Sequence, residues 1–242
     1  MELDTLVSNT ARRLSIIFKK EIIVNPIPPE FTPENLAYWS TLNYKPVFLP
    51  HEEIEESQIF DNWKKPPKWF YDEVRAGNIK SSQHDLWPTL LRGCWHLADF
   101  NVSADFTDGS QVFVNDSLGP TIARLREENL VGNHHYVPIN SRFAITPNEW
   151  LECVLAYVAS MLRVTRSQIS LERAIEFNAI GNLYDSNRGR FNALEWLEDI
   201  HKGSYHLFSG GKKLGGLSYI NHCWGDNRSA YIAARPFVSF NQ

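Results

Sequence analysis

The spacing of apolar residues predicts two successive helices between residues 146 and 184. Thr146 and Glu149 have the spacing of a capping box, and Pro147 suits the first helical position. Of the two capping residues, Thr146 is expected to contribute more to the stability of the helix. The apolar positions of the first helix recur every three or four residues, at Trp150, Val154, Tyr157, Val158, Met161 and Leu162. The second helix follows residues 163–165 and places its apolar positions at Leu171, Ala174, Ile175 and Phe177. Trp150 and Leu162 are therefore predicted to lie in the main core.

Weaker patterns predict the remaining elements. Further helices are predicted at residues 4–20, 32–42, 69–76, 81–100, 121–130 and 192–200. Strands are predicted at residues 21–24, 46–49, 111–114 and 142–145, and at the C-terminus at 205–208, 217–220 and 230–240. We therefore expect an α+β fold that is mainly helical with a C-terminal antiparallel β-meander. Residues 1–242 are predicted to form a single domain, with a weak seam near 184–190.

Composition adds two constraints on function. The chain contains 8 Trp, 9 Tyr and 14 Phe, and such large rings serve cores, interfaces and the stacking of bases or sugars. Core packing is the use that we favour for most of them. The net charge of −4 excludes a wholly basic nucleic-acid-binding protein, so any site for a polyanion must be a local patch.

Cysteine usage and hydropathy indicate a cytoplasmic protein without a membrane partner. Cys94, Cys153 and Cys223 are odd in number, widely spaced and without a CxxC motif, which favours reduced thiols over a disulfide framework. Charged residues interrupt the apolar stretch at the N-terminus, so no secretory signal is expected, and no run approaches the ~20 apolar residues that a membrane span requires.

The segment over residues 158–173 resembles the helix-turn-helix of DNA-binding proteins. Ala159, Leu162, Val164 and Ile169 match the small and apolar positions of that motif. Arg163 stands where the motif usually has glycine. The resemblance implies that the residues exposed to read DNA are Thr165, Arg166, Ser167, Gln168 and Arg173. The same apolar spacing is also that of a plain helical hairpin in the core, which is the alternative that periodicity alone favours.

A second candidate for anion binding is the glycine-rich segment over residues 209–216. Lys212 and Lys213 lie within it, beside backbone N–H groups of the kind that bind phosphate. Arg188 and Arg190 extend this basic patch if the fold brings the two loops together. The spacing differs from that of a P-loop, and a hairpin turn with two solvated lysines is the favoured alternative.

Carboxylates provide the leading alternative to a binding function. Glu172 and Glu176 are four residues apart in the predicted helix, and Asp185 follows on a loop. Such a set suits a metal-dependent hydrolase or nuclease, although a solvated helix face explains the pair without a metal and is favoured.

Histidines and cysteines give two further candidate sites. His201, His206, His222 and Cys223 are of zinc-binding types, but their spacing matches no structural zinc pattern. Cys94 and His96 are close in sequence, yet catalytic pairs usually meet from distant positions, so a buried structural thiol is favoured. We predict no metal and no cofactor.

The sequence thus predicts a cytoplasmic binding protein with nucleic acid as its leading partner. Its predicted contact residues are Thr165, Arg166, Ser167, Gln168, Arg173, Arg188, Arg190, Lys212 and Lys213. The alternatives are a metal-dependent hydrolase or nuclease, and a non-catalytic subunit of a larger protein assembly.

Overall fold

Two β-sheets and the helices packed on them make up the fold. The computed structural model describes residues 3–58, 60–81, 86–103 and 112–240. The fold is α+β with 34% helix and 22% strand, so the prediction of a mainly helical protein was wrong. Residues 82–85, within one predicted helix, and Gln111, within one predicted strand, lie outside the described residues.

Strands enter the two sheets from distant parts of the chain. They are β1 (Tyr44–Leu49), β2 (Ile79–Lys80), β3 (Cys94–Asp99), β4 (Ile169–Leu171), β5 (Leu194–His201), β6 (Tyr205–Gly210), β7 (Ile220–Trp224), β8 (Ile232–Ala234) and β9 (Pro236–Phe240). The first sheet is antiparallel, in the order β1-β3-β9-β4. The second has the order β2-β5-β6-β7, and β8 lies parallel to β5. The predicted C-terminal meander was wrong, because β9 leaves β6 and β7 and pairs with β3 and β4 in the other sheet.

Helices cover these sheets. They are α1 (Leu3–Phe18), α2 (Pro33–Thr41), α3 (Lys68–Arg75), α4 (Gly119–Glu127), α5 (Pro147–Glu149), α6 (Leu155–Leu162) and α7 (Ala174–Leu183). A π-helical segment, Trp150–Val154, joins α5 to α6, so that the chain is helical from residue 147 to 162. The predicted capping box is confirmed: the Thr146 hydroxyl accepts from the Glu149 N–H at 3.1 Å, and Glu149 accepts from the Thr146 N–H at 2.9 Å.

The core confirms the apolar stripe of this helical segment. Trp150 and Leu162 are both fully buried in the main hydrophobic cluster, as predicted. The cluster also takes in Trp39, Trp95 and Phe240, so many of the large rings are core residues. Core packing is thus one use of the aromatic content.

Two predicted helices are replaced by strands, and buried charge explains one of the errors. Residues 192–200 contain β5 instead of a helix. Its carboxylates Glu195, Glu198 and Asp199 are buried, although their positions resemble the polar face of a helix. Residues 81–100 contain β3, which is buried along its whole length and therefore has no alternating pattern. The predicted strands at 21–24 and 142–145 are irregular segments.

Candidate functional site

The segment that resembles a helix-turn-helix has a different structure. The first helix ends at Leu162, and Arg163 has the left-handed conformation (φ 58°) that glycine usually provides in the motif. The chain then forms a 3₁₀ turn, Arg166–Gln168, and β4, whose residues pair with Val238, Phe237 and Pro236 of β9. The predicted start of the second helix was therefore wrong, because this long-range pairing overrides the local apolar spacing; the helix itself is present as α7, which contains Ala174, Ile175 and Phe177. Helix α7, which begins only at Ala174, is buried over residues 174–181 and presents no face to a DNA groove.

The predicted reading residues of this segment are divided between surface and interior. Thr165, Arg166 and Ser167 are exposed, and Gln168 is partly exposed. Their polar groups are used within the turn: Gln168 accepts from the Thr165 N–H at 2.9 Å. The Arg166 guanidinium donates to the carbonyls of Leu151 and Ile169 at 2.6 and 2.9 Å. The segment is a capped turn whose arginine is bound to the backbone.

Arg173 and Arg188 lie in the interior, contrary to their predicted role at a surface. The Arg173 guanidinium donates to Glu176 at 2.9 Å and to the Leu90 carbonyl at 2.6 Å. The Arg188 guanidinium forms an ion pair with Glu172 and donates to the Asp99 carbonyl at 3.0 Å. Both side chains have no exposed surface. Neither arginine can reach an external phosphate.

The carboxylates that suggested a hydrolase are the partners of these arginines. Glu172 and Glu176 are 2% and 0% exposed, so the prediction of a solvated helix face was wrong. Glu172 precedes α7, whereas Glu176 lies in its first turn. Asp185, also buried, lies 3.5 Å from the Arg188 guanidinium. Within the described ranges, no cluster of three or more His, Cys, Asp or Glu residues has a geometry suited to a metal ion.

The two glutamates have opposite pKa shifts. Burial raises the pKa of Glu172 to about 7, although Arg188 acts in the other direction. Burial also opposes the ionisation of Glu176, but Arg173 and Arg92 outweigh it and hold the pKa of this carboxyl well below its usual value. Glu176 is thus a permanent anion between two guanidinium groups, and Glu172 is a carboxyl that titrates near neutrality.

Further arginine–carboxylate pairs extend this buried network and were missed by the sequence analysis. The distances are 2.7 Å from Arg92 to Glu176, 3.1 Å from Arg92 to Glu198, 2.5 Å from Arg142 to Asp99 and 2.7 Å from Arg235 to Glu195. Arg92 precedes β3 and Arg235 lies between β8 and β9, whereas Arg142 lies on the segment between α4 and α5. A sign of this burial was Arg235, which stands as a single charge within the apolar run at 230–240.

The glycine-rich loop and the loop after α7 do come together, as the sequence analysis required for a basic patch. The Lys212 N–H donates to the Phe191 carbonyl at 2.9 Å, and the Lys213 N–H donates to Asn192 Oδ1 at 3.2 Å. Arg190, Lys212 and Lys213 are exposed. The fold therefore places three surface cations on two adjacent loops.

The backbone of the glycine-rich loop is less available than predicted. Every N–H group from residue 211 to 216 donates to an acceptor within the protein. Gly189 and Gly216 approach so closely that a Cβ on Gly216 would lie 2.5 Å from the Gly189 carbonyl oxygen. The loop is consequently a compact turn that presents lysine side chains, and its N–H groups do not form a phosphate cradle.

An exposed aromatic residue, Tyr231, lies on a segment close to the glycine-rich loop. Leu194 in β5 pairs with Gly210 in β6 on one side and with Ile232 in β8 on the other. Adjacent strands are about 4.8 Å apart, so Gly210 and Ile232 are separated by two strand spacings, or about 10 Å. The backbone at the neighbouring residues 211 and 231 is separated by about the same distance. The Tyr231 side chain is 53% exposed. We name the surface formed by Arg190, Lys212, Lys213 and Tyr231 the basic–aromatic rim.

The histidine and cysteine candidates are divided between the two faces of the second sheet. His206 pairs with Cys223, so these two side chains share one face. His201 and His222 lie on the other, with ring centroids 4.4 Å apart, and His201 Nε2 lies 2.6 Å from Glu73. This alternation separates the four residues into two pairs.

Cys94 and His96 meet in space, but their environment leaves both uncharged. Cys94 Sγ lies 3.4 Å from His96 Nε2, and both side chains are buried. Burial raises the pKa of the Cys94 thiol to about 12 and lowers the pKa of His96 to about 3. A nucleophilic cysteine requires a lowered pKa, so this pair has the electrostatics of a structural contact.

Comparison with known proteins does not assign the chain to a family. No protein-family model, curated protein or solved structure matches the chain. Within the described residues, every helix is too short or too polar to cross a membrane.

Proposed function

We propose that the protein binds single-stranded nucleic acid through the basic–aromatic rim. The observation that carries this proposal is the contact of the two loops, which brings the exposed Arg190, Lys212 and Lys213 together, with the backbone of the exposed Tyr231 about 10 Å from that of the glycine-rich loop. Lysine and arginine side chains bind phosphates, and aromatic rings stack on bases. Such a combination is typical of proteins that bind single strands.

The shape of the rim favours a single strand over a duplex. Reading a duplex in its major groove requires a protruding helix or ribbon. The rim lies instead at the end of a sheet, where β6 and β8 flank β5. Bases can reach a surface ring such as Tyr231 only when they are not already stacked in a duplex. We therefore expect preference for single-stranded DNA or RNA.

Binding through this rim should be modest and sensitive to salt. The protein carries a net charge of −4, so general attraction to phosphate is absent and the contact depends on the local cations. Three phosphate contacts on a single strand correspond to a slope of about −2 in a plot of log affinity against log salt concentration.

Anisotropy titration of a short fluorescein-labelled oligo-dT at low salt tests the proposal. The variant Lys212→Gln/Lys213→Gln removes two rim charges, and we expect roughly 10–100-fold weaker binding. The matched control is Lys19→Gln/Lys20→Gln, which removes two exposed lysines with the same charge change. Equal loss in both variants, or no binding by the unmodified protein, would contradict the proposal.

A tyrosine pair tests the role of the ring. Tyr231→Leu should weaken binding by roughly 5–150-fold, which corresponds to a stacking contribution of about 1–3 kcal/mol per base. Tyr136→Leu, at a tyrosine that is 65% exposed on another segment, should leave the affinity unchanged. Equal affinity for duplex and single strand, together with a silent Tyr231→Leu, would reject stacking and hence single-strand preference.

A further inference from the structure

The loop after α7 carries two arginines with opposite surroundings. Arg188 has no exposed side-chain surface, whereas Arg190 is exposed in the basic–aromatic rim. Between them stands Gly189, which has a left-handed backbone conformation (φ 65°). The chain thus passes from the interior to the surface within three residues. The position of the exposed arginine therefore depends on how the buried one is held.

Arg188 is held by groups from several parts of the fold. Its guanidinium forms an ion pair with Glu172, which follows β4, and donates to the carbonyl of Asp99, the last residue of β3, at 3.0 Å. It also lies 3.5 Å from Asp185 and 5.6 Å from the centroid of the Phe177 ring in α7. A buried guanidinium that loses its carboxylate is left with an uncompensated charge, so these contacts fix the arginine strongly.

Hydrogen bonds within the loop join the buried arginine to the exposed one. The Arg188 N–H donates to the Asp185 carbonyl at 3.0 Å, and the Arg190 N–H donates to the Asn187 carbonyl at 3.1 Å. The Asn187 N–H in turn donates to Asp185 Oδ1 at 3.0 Å. Residues 185–190 therefore form one closed turn, and fixing its inner side chain also fixes its outer one.

Gly189 connects this turn to the glycine-rich loop. A Cβ on Gly189 would lie 2.7 Å from the nitrogen of Leu217 and 2.9 Å from the carbonyl carbon of Gly216. Only glycine allows two backbones to approach so closely. The glycine-rich loop carries Lys212 and Lys213, so this contact transmits the position of the buried arginine to both rim lysines.

We propose that Arg188 positions the basic–aromatic rim from the interior. Its ion pair fixes the loop after α7, and the contact of Gly189 with Gly216 keeps the two rim lysines close to the exposed arginine. This inference rests on the proposed function, since the rim is the site that is positioned. A site that is held in its binding arrangement loses less conformational freedom when it binds, which strengthens binding.

A pair of glycines tests the contact between the loops. Gly189→Ala adds a Cβ that clashes with the backbone at residues 216–217. Gly203→Ala, in the turn between β5 and β6, adds one that meets no described residue within 4 Å beyond its chain neighbours. Both glycines have positive φ angles, 65° and 80°, so both substitutions strain the backbone.

We expect Gly189→Ala to weaken oligo-dT binding about threefold or more. The slope of log affinity against log salt should fall by about 0.7, as for the loss of one cation. Gly203→Ala should match the unmodified protein in both respects. Titrations are made well below the melting temperature of each variant, so that all are folded. Equal affinity and slope in Gly189→Ala and in the unmodified protein overturn the proposal.

A pair of buried arginines separates positioning from stability. Arg188→Lys and Arg173→Lys keep the net charge, and each removes a fully buried guanidinium that is paired with a glutamate. Lysine cannot replace the planar fork of arginine, so both variants should melt at lower temperature. Only Arg188→Lys should weaken oligo-dT binding, by about threefold or more, because Arg173 contacts Glu176 and Leu90 instead of the rim loops.

Equal losses of affinity in the two arginine variants would show that both act through stability alone. An unchanged affinity in Arg188→Lys also overturns its positioning role. If Arg188→Lys does not fold, the glycine pair decides.

Amide hydrogen exchange tests the positioning without nucleic acid. The N–H groups of Lys212 and Lys213 donate to residues 191 and 192 of the other loop, so their exchange reports whether the loops stay together. Gly189→Ala should speed exchange at both amides about tenfold or more, and Gly203→Ala should leave it unchanged. Unchanged exchange in Gly189→Ala overturns the positioning. Expected exchange without oligo-dT binding by the unmodified protein would instead reject the proposed function.

Discussion

The arginines of this molecule occur in two regions, where they are either buried in ion pairs or exposed at the surface. In the interior, Arg92, Arg142, Arg173, Arg188 and Arg235 are buried against carboxylates of the two sheets, of α7 and of the loop before α7. At the basic–aromatic rim, Arg190 is exposed beside two lysines. Arg188 and Arg190 are two residues apart, yet the first belongs to the interior and the second to the surface.

The difference shows that the partner of a charge decides its role. A buried guanidinium must be paired, because its desolvation is offset only by a carboxylate and by hydrogen bonds to carbonyls. These interior charges are paired within the protein and are not available to a ligand. An exposed cation contributes little to the fold. An exposed cation is therefore available to bind a ligand.

The largest expected effect separates the two regions by stability. Arg173→Met should lower the free energy of unfolding by about 3–5 kcal/mol, since it leaves the Glu176 carboxylate buried with one guanidinium fewer. Arg190→Met, at the rim, should change it by no more than about 0.5 kcal/mol. Urea denaturation measures both. Similar losses in the two variants would mean that the rim arginine is also structural.

A pH titration sharpens the contrast between the two glutamates. The pKa of Glu172 is raised from 4.5 to about 7, so the folded protein retains a proton that the unfolded chain releases at lower pH. Its contribution to stability is therefore present below pH 4.5 and is lost as the pH rises through 7. The slope between these values is at most about 1.4 kcal/mol per pH unit.

Glu172→Gln provides the reference for this titration, because glutamine does not titrate. The stability of the unmodified protein relative to this variant should fall as the pH rises from 5 to about 7 and then level off. Urea midpoints of both proteins across this range measure the difference. A relative stability that stays nearly flat over this window, and falls only when the pH is lowered below about 4.5, would mean that Arg188 outweighs burial at this carboxyl.

The smallest expected effect concerns the capped helix. Thr146→Ala should cost about 0.5–2 kcal/mol through loss of the cap. Glu149→Ala should cost more, contrary to the sequence-based expectation, because Glu149 also accepts from the Gly132 N–H at 2.7 Å and pairs with Arg228 at 2.7 Å. Chemical denaturation of both variants checks the order. A larger loss of stability for Thr146→Ala than for Glu149→Ala would mean that the helix cap alone determines both effects.

Sequence reasoning succeeded where the determining interactions are local. The cap at Thr146 and the similar one at Thr32 depend on residues three positions away, and both helices begin where the pattern predicts. The stripe from Trp150 to Leu162 needs only apolar periodicity. These elements could be read from the chain without knowledge of the sheets.

It failed where distant residues complete an element. β4 is a strand because β9 pairs with it, and residues 236–238 lie far away in sequence. The sequence of β5 resembles that of a helix, because its buried carboxylates look like residues on a solvated helix face. Only the structure shows that Arg92 and Arg235 pair with them in the interior. For the candidate site, the sequence named Arg190, Lys212 and Lys213 but could not separate them from Arg173 and Arg188, nor place Tyr231 beside them.

The salt dependence of oligo-dT binding tests the central claim most directly, because it counts the cations in contact with phosphate. We expect Lys212→Gln/Lys213→Gln to reduce the slope of log affinity against log salt by about 1.4, or about 0.7 for each cation removed. Tyr231→Leu should lower the affinity and leave the slope unchanged, since stacking releases no counterions. A slope that is the same in the unmodified protein and in the double-lysine variant would contradict the account.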